Sequence, residues 1–135
     1  MNSFNWQTLL RNHPIFSSLN EEELAHLVRD EVSHERVYPP DKVILREGEA
    51  SDSLFLIGSG SVQVTLGGTR GPVMPLAFLP AGEIFGEIAV LERRPRSATV
   101  VTREQCVLLE VAGEEIRRLL AAHLEVQVKL YTVVR

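Results

Sequence analysis

The residues with the clearest chemical potential lie between Pro80 and Val100, in PAGEIFGEIAVLERRPRSATV. Arg96 offers a planar guanidinium whose paired N–H groups fit two oxygens of a phosphate. Ser97 adds a hydroxyl beside it. Gly86 can let backbone approach a ligand closely, or take a φ that other residues avoid. Glu87 to Leu91 has the length of about one helical turn, whose free N–H groups would face whatever precedes it. These parts suit a single phosphate. Glu87 does not, because a carboxylate repels an anion, unless the ligand also presents a hydroxyl donor. A ribose 2′-OH meets that need, so Arg96 and Glu87 together imply a nucleotide held at its sugar-phosphate end. Each residue also has a plainer reading. Arg96 can be a surface ion-pair partner of Glu87 or Glu92, Ser97 can cap a strand, and Arg93 and Arg94 read as a solvated loop tip. Glu83 reads as solvent-facing, and Ile84, Phe85, Ile88 and Leu91 as core.

The elements that must position this stretch fall into three zones. Residues 1–32 read as N-terminal helices. Phe4, Trp6, Leu9 and Leu10 precede a stop at Pro14, and Asn20 followed by three glutamates is a capping signal ahead of Leu24, Leu27 and Val28. Residues 33–112 read as β-rich. A Pro-Pro turn divides two strands near Tyr38 and Val43. A fully apolar run at Leu54–Ile57 precedes clean alternation at Val62, Val64 and Leu66. Pro75 marks an edge or an irregularity. Short strands spaced by Gly and Pro turns predict an antiparallel β-roll or jelly roll, a double-stranded β-helix. Residues 113–135 return to helix, with Ile116, Leu119, Leu120 and Leu124 on one face. The chain stops in an apolar stretch without a helix terminator, which suits either a boundary within a longer protein or an end that packs on a partner.

The chain has 135 residues, one domain's worth. Its formal net charge is −4, from 14 Lys+Arg and 18 Asp+Glu, which argues against a nucleic-acid surface. No apolar run reaches the roughly 20 residues that span a bilayer, and the N-terminus lacks the pattern of a signal peptide. Cys106 is the only cysteine, so no intrachain disulfide forms, and CVLLEV reads as a buried strand in a protein of the reducing cytoplasm. His13, His26, His34 and His123 lack metal-pair spacing. No nucleophile–base arrangement or P-loop is present, so an enzyme is not expected.

Phe85-Gly-Glu-Ile-Ala-Val-Leu91 followed by Pro95-Arg-Ser-Ala-Thr-Val100 resembles the phosphate-binding cassette of cyclic nucleotide-binding domains. The resemblance extends to His13-Pro-Ile-Phe16, Ile44-Leu-Arg-Glu-Gly48, Asp52 to Ile57, Gly60 to Val64 and Val107 to Val111, and so to nearly the whole chain. It implies one such domain over 1–135, with its cassette at 82–100 and C-terminal lid helices after 113. It implies that Arg96 holds the cyclic phosphate and Glu87 accepts from the ribose 2′-OH. Gly86, Ile88 and Ala89 would surround the ring with backbone N–H groups, and Ser97 would lie beside phosphate and base. Members that prefer cGMP often carry Thr at that last position, while many cAMP binders have Ala or Ser. Ser97 therefore leans toward cAMP, with cGMP as the other ligand. Leu124, Val128 and Tyr131 are the lid candidates. The implied role is a sensor that converts binding into movement of its flanking helices, with a homodimer partner or effector domain reached through the C-terminal helices. The alternatives are the sensing half of a bacterial transcription regulator without its DNA-binding part, and a β-roll that has lost binding and serves protein interaction.

Overall fold

The computed structural model describes residues 4–67 and 73–124. Two short helices lead the chain, α1 (Trp6–Asn12) and α2 (Glu21–Leu27). The helix α1 ends ahead of Pro14, with His13 in extended backbone at its C-cap. At the start of α2 the expected cap forms in full. Asn20 Oδ1 accepts from the Glu23 amide at 2.8 Å, and the Asn20 amide donates to Glu23 Oε1 at 3.0 Å.

Eight strands follow among the described residues: β1 (Ser33–Tyr38), β2 (Val43–Leu45), β3 (Ser53–Ser59), β4 (Ser61–Gly67), β5 (Val73–Pro80), β6 (Ile84–Phe85), β7 (Thr99–Thr102) and β8 (Cys106–Ala112). They build two antiparallel four-stranded sheets, ordered β1-β8-β3-β6 and β2-β7-β4-β5. Helix α3 (Glu87–Glu92) interrupts the strands between β6 and β7, and α4 (Gly113–Ala122) follows β8. This is the double-sheet roll with flanking helices that the strand spacing predicts.

The apolar run of β3 has a physical explanation in two cores. Leu54 and Leu56 join a cluster with Trp6, Leu10, Phe16, Leu24, Leu109, Val111 and Ile116, between one sheet and the helices. Phe55 and Ile57 point the other way, into a cluster with Leu45, Val62, Phe85, Val100, Cys106 and Leu108 between the two sheets. Both faces of β3 are therefore buried, so alternation disappears there. Cys106 is fully buried as a small core thiol. Pro75 does lie on an edge strand. The register of β4 with β5 slips between Val64 and Thr65, opposite the proline that lacks a ladder donor.

The C-terminal expectation is met in part. Ile116 is buried and Leu119 packs against the helix-side core, whereas Leu124 is 70% exposed beyond the end of α4. Val128 and Tyr131 lie outside the described residues. No helix among the described residues is long and apolar enough to cross a membrane.

Candidate functional site

The segment from β6 to β7 is fixed from both sides. Ile84 and Phe85 pair with β3 and sink into the two cores, and Phe85 stacks on Phe55 with ring centroids 4.9 Å apart. Gly86 then turns the chain with φ 85°, a left-handed conformation that disfavours any side chain. A Cβ there would also sit 3.0 Å from Arg96 Nη1 and 3.1 Å from the Ser53 carbonyl oxygen. Of the two sequence-based readings of Gly86, the φ that other residues avoid is met, and the close neighbours of its backbone are Arg96 and Ser53. Helix α3 ends at Arg93, also left-handed at φ 52°. The backbone of Arg96 is clamped by the turn after β2, donating to Glu49 O and accepting from Gly48 N, each at 2.8 Å.

That clamp turns the Arg96 side chain inward, where it is only 3% exposed. Its Nε donates to Ser51 Oγ at 2.8 Å, Nη1 to the Gly86 carbonyl at 3.2 Å, and Nη2 to the Ser53 carbonyl at 2.9 Å and to Ser53 Oγ at 3.4 Å. Guanidinium has five N–H donors, so these four bonds orient the fork and leave one N–H over. Burial pulls the Arg96 pKa down, opposed by the negative charges of Asp52, Glu110, Glu49 and Glu87. No carboxylate forms a salt bridge with it among the described residues, which sets aside the surface ion-pair reading. Glu92 pairs instead with Arg94 at 3.2 Å.

Glu87 stands at the start of α3 with Oε2 buried and without a hydrogen-bond partner. Burial pushes its carboxyl pKa up, opposed by its own backbone N–H and by the positive charge of Arg96. A buried carboxylate oxygen without a donor costs about 1–3 kcal/mol. Glu87 lines a cavity of about 330 Å³ whose wall also includes Arg96, Ser97, Gly86, Ile88, Ala89, Leu45, Val64 and Leu76. All six residues singled out by the sequence, Gly86, Glu87, Ile88, Ala89, Arg96 and Ser97, therefore meet at one hollow. Its volume falls in the range of small-molecule pockets, about 300–1,000 Å³. Ser97 is exposed at the rim, and Arg93 and Arg94 point to solvent. Glu83 is exposed as expected, while Ile88 lines the cavity instead of joining the core. The arrangement can take a ligand that brings an anion to Arg96 and a hydroxyl to Glu87.

A roomier hollow of about 440 Å³ lies between α2 and α4, lined by Leu27, His26, Glu115, Leu119 and neighbours. It lacks a fully buried charged side chain to orient a ligand, so the chemistry favours the cassette cavity. Sequence reasoning missed Ser51 and Ser53, the partners of Arg96. The usable signal was a Ser-Asp-Ser run directly before the apolar strand, since a buried guanidinium needs acceptors.

A mostly antiparallel roll with a buried arginine and a partnerless carboxylate around one cavity is a β-roll with room for a small molecule. The chain belongs to the cyclic nucleotide-binding domain family, whose model matches residues 35–123. It is 35% identical over 123 residues to the cyclic AMP receptor protein of Thermus thermophilus, covering 84% of this chain and 54% of that protein. It is 34% identical over 116 residues to a cAMP-dependent protein kinase regulatory subunit of Yarrowia lipolytica, covering 86% of this chain and 30% of that one. The fold matches the regulatory domain of Toxoplasma gondii PKA, solved with cAMP, at a TM-score of 0.83 and 22% identity, over 96% of this chain and 48% of that chain. The chain thus spans about a third to a half of the length of these relatives.

Proposed function

We propose that this chain senses cAMP at the cassette cavity. The cyclic phosphate takes the remaining N–H of Arg96 and displaces its long bond to Ser53 Oγ, the 2′-OH of the ribose donates to Glu87 Oε2, and the backbone of Gly86, Ile88 and Ala89 closes around the ring. Ser97 at the rim lies beside phosphate and base, and its hydroxyl suits cAMP, with cGMP as the weaker ligand. The observation that carries this reading is the pairing of a buried, oriented guanidinium with a buried carboxylate oxygen that lacks a donor. One ligand supplies the donor that Glu87 Oε2 lacks and a paired anion for Arg96. The role is regulatory rather than catalytic. Output passes through α4 and the residues after it to a second copy or an effector, in a reducing cytoplasm that suits the lone thiol of Cys106. The setting as the sensing half of a transcription regulator has its support in the similarity to the cyclic AMP receptor protein.

Calorimetry with cAMP, cGMP and 5′-AMP tests the reading. Saturable binding of cAMP, weaker binding of cGMP, and 5′-AMP at least tenfold weaker than cAMP are expected. No heat with either cyclic nucleotide, or equal affinity for 5′-AMP, overturns it.

A further inference from the structure

Asp52, between Ser51 and Ser53, has partners of its own on α4. Both carboxylate oxygens of Asp52 accept from Arg117 of α4, Oδ1 from Nη1 and Oδ2 from Nη2, each at 2.8 Å. The Asp52 carbonyl accepts from the Gly113 amide at 2.9 Å, at the first residue of α4. Gly113 is buried, and a Cβ there would fall 2.1 Å from Asp52 Oδ1, so any larger residue would displace the carboxylate that Arg117 holds. Arg117 Nη1 also donates to the Val90 carbonyl of α3 at 3.2 Å.

One side chain of α4 therefore grips both halves of the cradle: the loop that holds Arg96, and the helix that carries Glu87. The geometry is fork on fork, which fixes direction as well as distance. Arg117 Nε is left buried without a hydrogen-bond partner, so the side chain gives up one bond to keep this pose. Its side chain is 18% exposed and that of Asp52 is 52% exposed. An ion pair at such a surface adds little to stability, and its importance here lies in what it connects.

We infer that Arg117 is a positioning residue for the cyclic nucleotide, tying α4 to the Ser51–Ser53 loop that orients Arg96. This rests on the cassette cavity being the ligand site. Adding a phosphate to Arg96 redistributes its bonds to Ser51 and Ser53. Asp52 lies between them and carries that shift to Arg117 and so to α4. By linkage, moving α4 changes ligand affinity by the same factor that ligand changes the α4 equilibrium.

Arg117→Gln and the milder Asp52→Asn test the inference on the full chain. The first readout needs no ligand. It is the solvent exchange of the Arg96 Nε–H followed by NMR, with β3 and β8 amides as controls for folding. Exchange at least fivefold faster in both variants, with the controls unchanged, is expected, and an unchanged rate overturns the inference. The second readout is amide exchange across residues 113–122 with and without cAMP. Wild type should show a ligand-dependent change of at least threefold that disappears in both variants, and its persistence in them also overturns the inference. Should wild type fail to bind cyclic nucleotide in calorimetry, the sensing function falls. The ligand-free exchange of Arg96 then still decides whether Arg117 holds the cradle.

Discussion

The inter-sheet core and the cassette lie a few residues apart and obey opposite rules. Phe55, Ile57, Val62, Val100 and Leu108 fill the space between the sheets with apolar atoms, and the two strands β3 and β8 pair over most of their length. From Gly86 to Arg96 the chain takes two left-handed residues, buries a guanidinium and leaves a carboxylate oxygen without a donor. The first region is what folding alone favours. The second is costly to folding, and the proposed ligand would offset that cost. The contrast teaches that function in this roll is found where local rules are broken on a rigid support.

The contrast can be broken from its scaffold side first. Leu108→Ala opens a hole between the sheets at a fully buried position and should cost about 3–4 kcal/mol in urea unfolding. The affinity of the folded fraction for cAMP should stay within about twofold, since no ligand contact is removed. A variant that keeps its stability and loses binding would erase the division. Arg96→Ala is the counterpart in the cassette and should weaken cAMP binding by about 2–4 kcal/mol, read by calorimetry. Unchanged affinity would remove Arg96 from the site.

Gly86→Ala sits where the two regions meet. Its φ of 85° and the 3.0 Å approach to Arg96 Nη1 should together cost about 1–2 kcal/mol of stability. Binding should weaken at the same time, because the guanidinium must shift. Glu87→Gln gives the smallest and most diagnostic effect. Burial raises the Glu87 carboxyl pKa, so the folded chain keeps this proton over a range of pH where the unfolded chain has lost it. Ligand-free stability should therefore fall as pH rises from the ordinary carboxylate range through the raised value. Glutamine removes that slope and should add about 1 kcal/mol at neutral pH, while cAMP binding weakens. A Glu87→Gln chain with the wild-type pH slope would contradict the buried, partnerless carboxylate.

What could be read in advance follows the same division. Capping by Asn20, the edge position of Pro75 and the left-handed turn at Gly86 are local signals, set by residues within a few positions of each other, whereas the expected alternation of β4 holds at Val62 and fails at the register slip, beyond which Thr65 is buried and Leu66 is not. The cassette was legible because its residues lie in one continuous stretch. Ser51 and Ser53 were not, since they lie 45 and 43 residues from Arg96 and only the closed sheets bring them together. The two-residue strand β6 was hidden for a similar reason. Ile84 and Phe85 are strand only because β3 pairs with them. Ile88 has the composition of a core residue, and nothing local distinguishes a cavity wall from a core.

The central claim is that Arg96 and Glu87 grip the phosphate and ribose of one cyclic nucleotide. A crystal structure of the full chain with cAMP tests it most directly. The account predicts a phosphate oxygen within hydrogen-bond distance of the Arg96 guanidinium and the 2′-hydroxyl within the same distance of Glu87 Oε2. Nucleotide seated instead in the hollow between α2 and α4, or a cassette cavity closed by a direct Arg96–Glu87 ion pair, would contradict it.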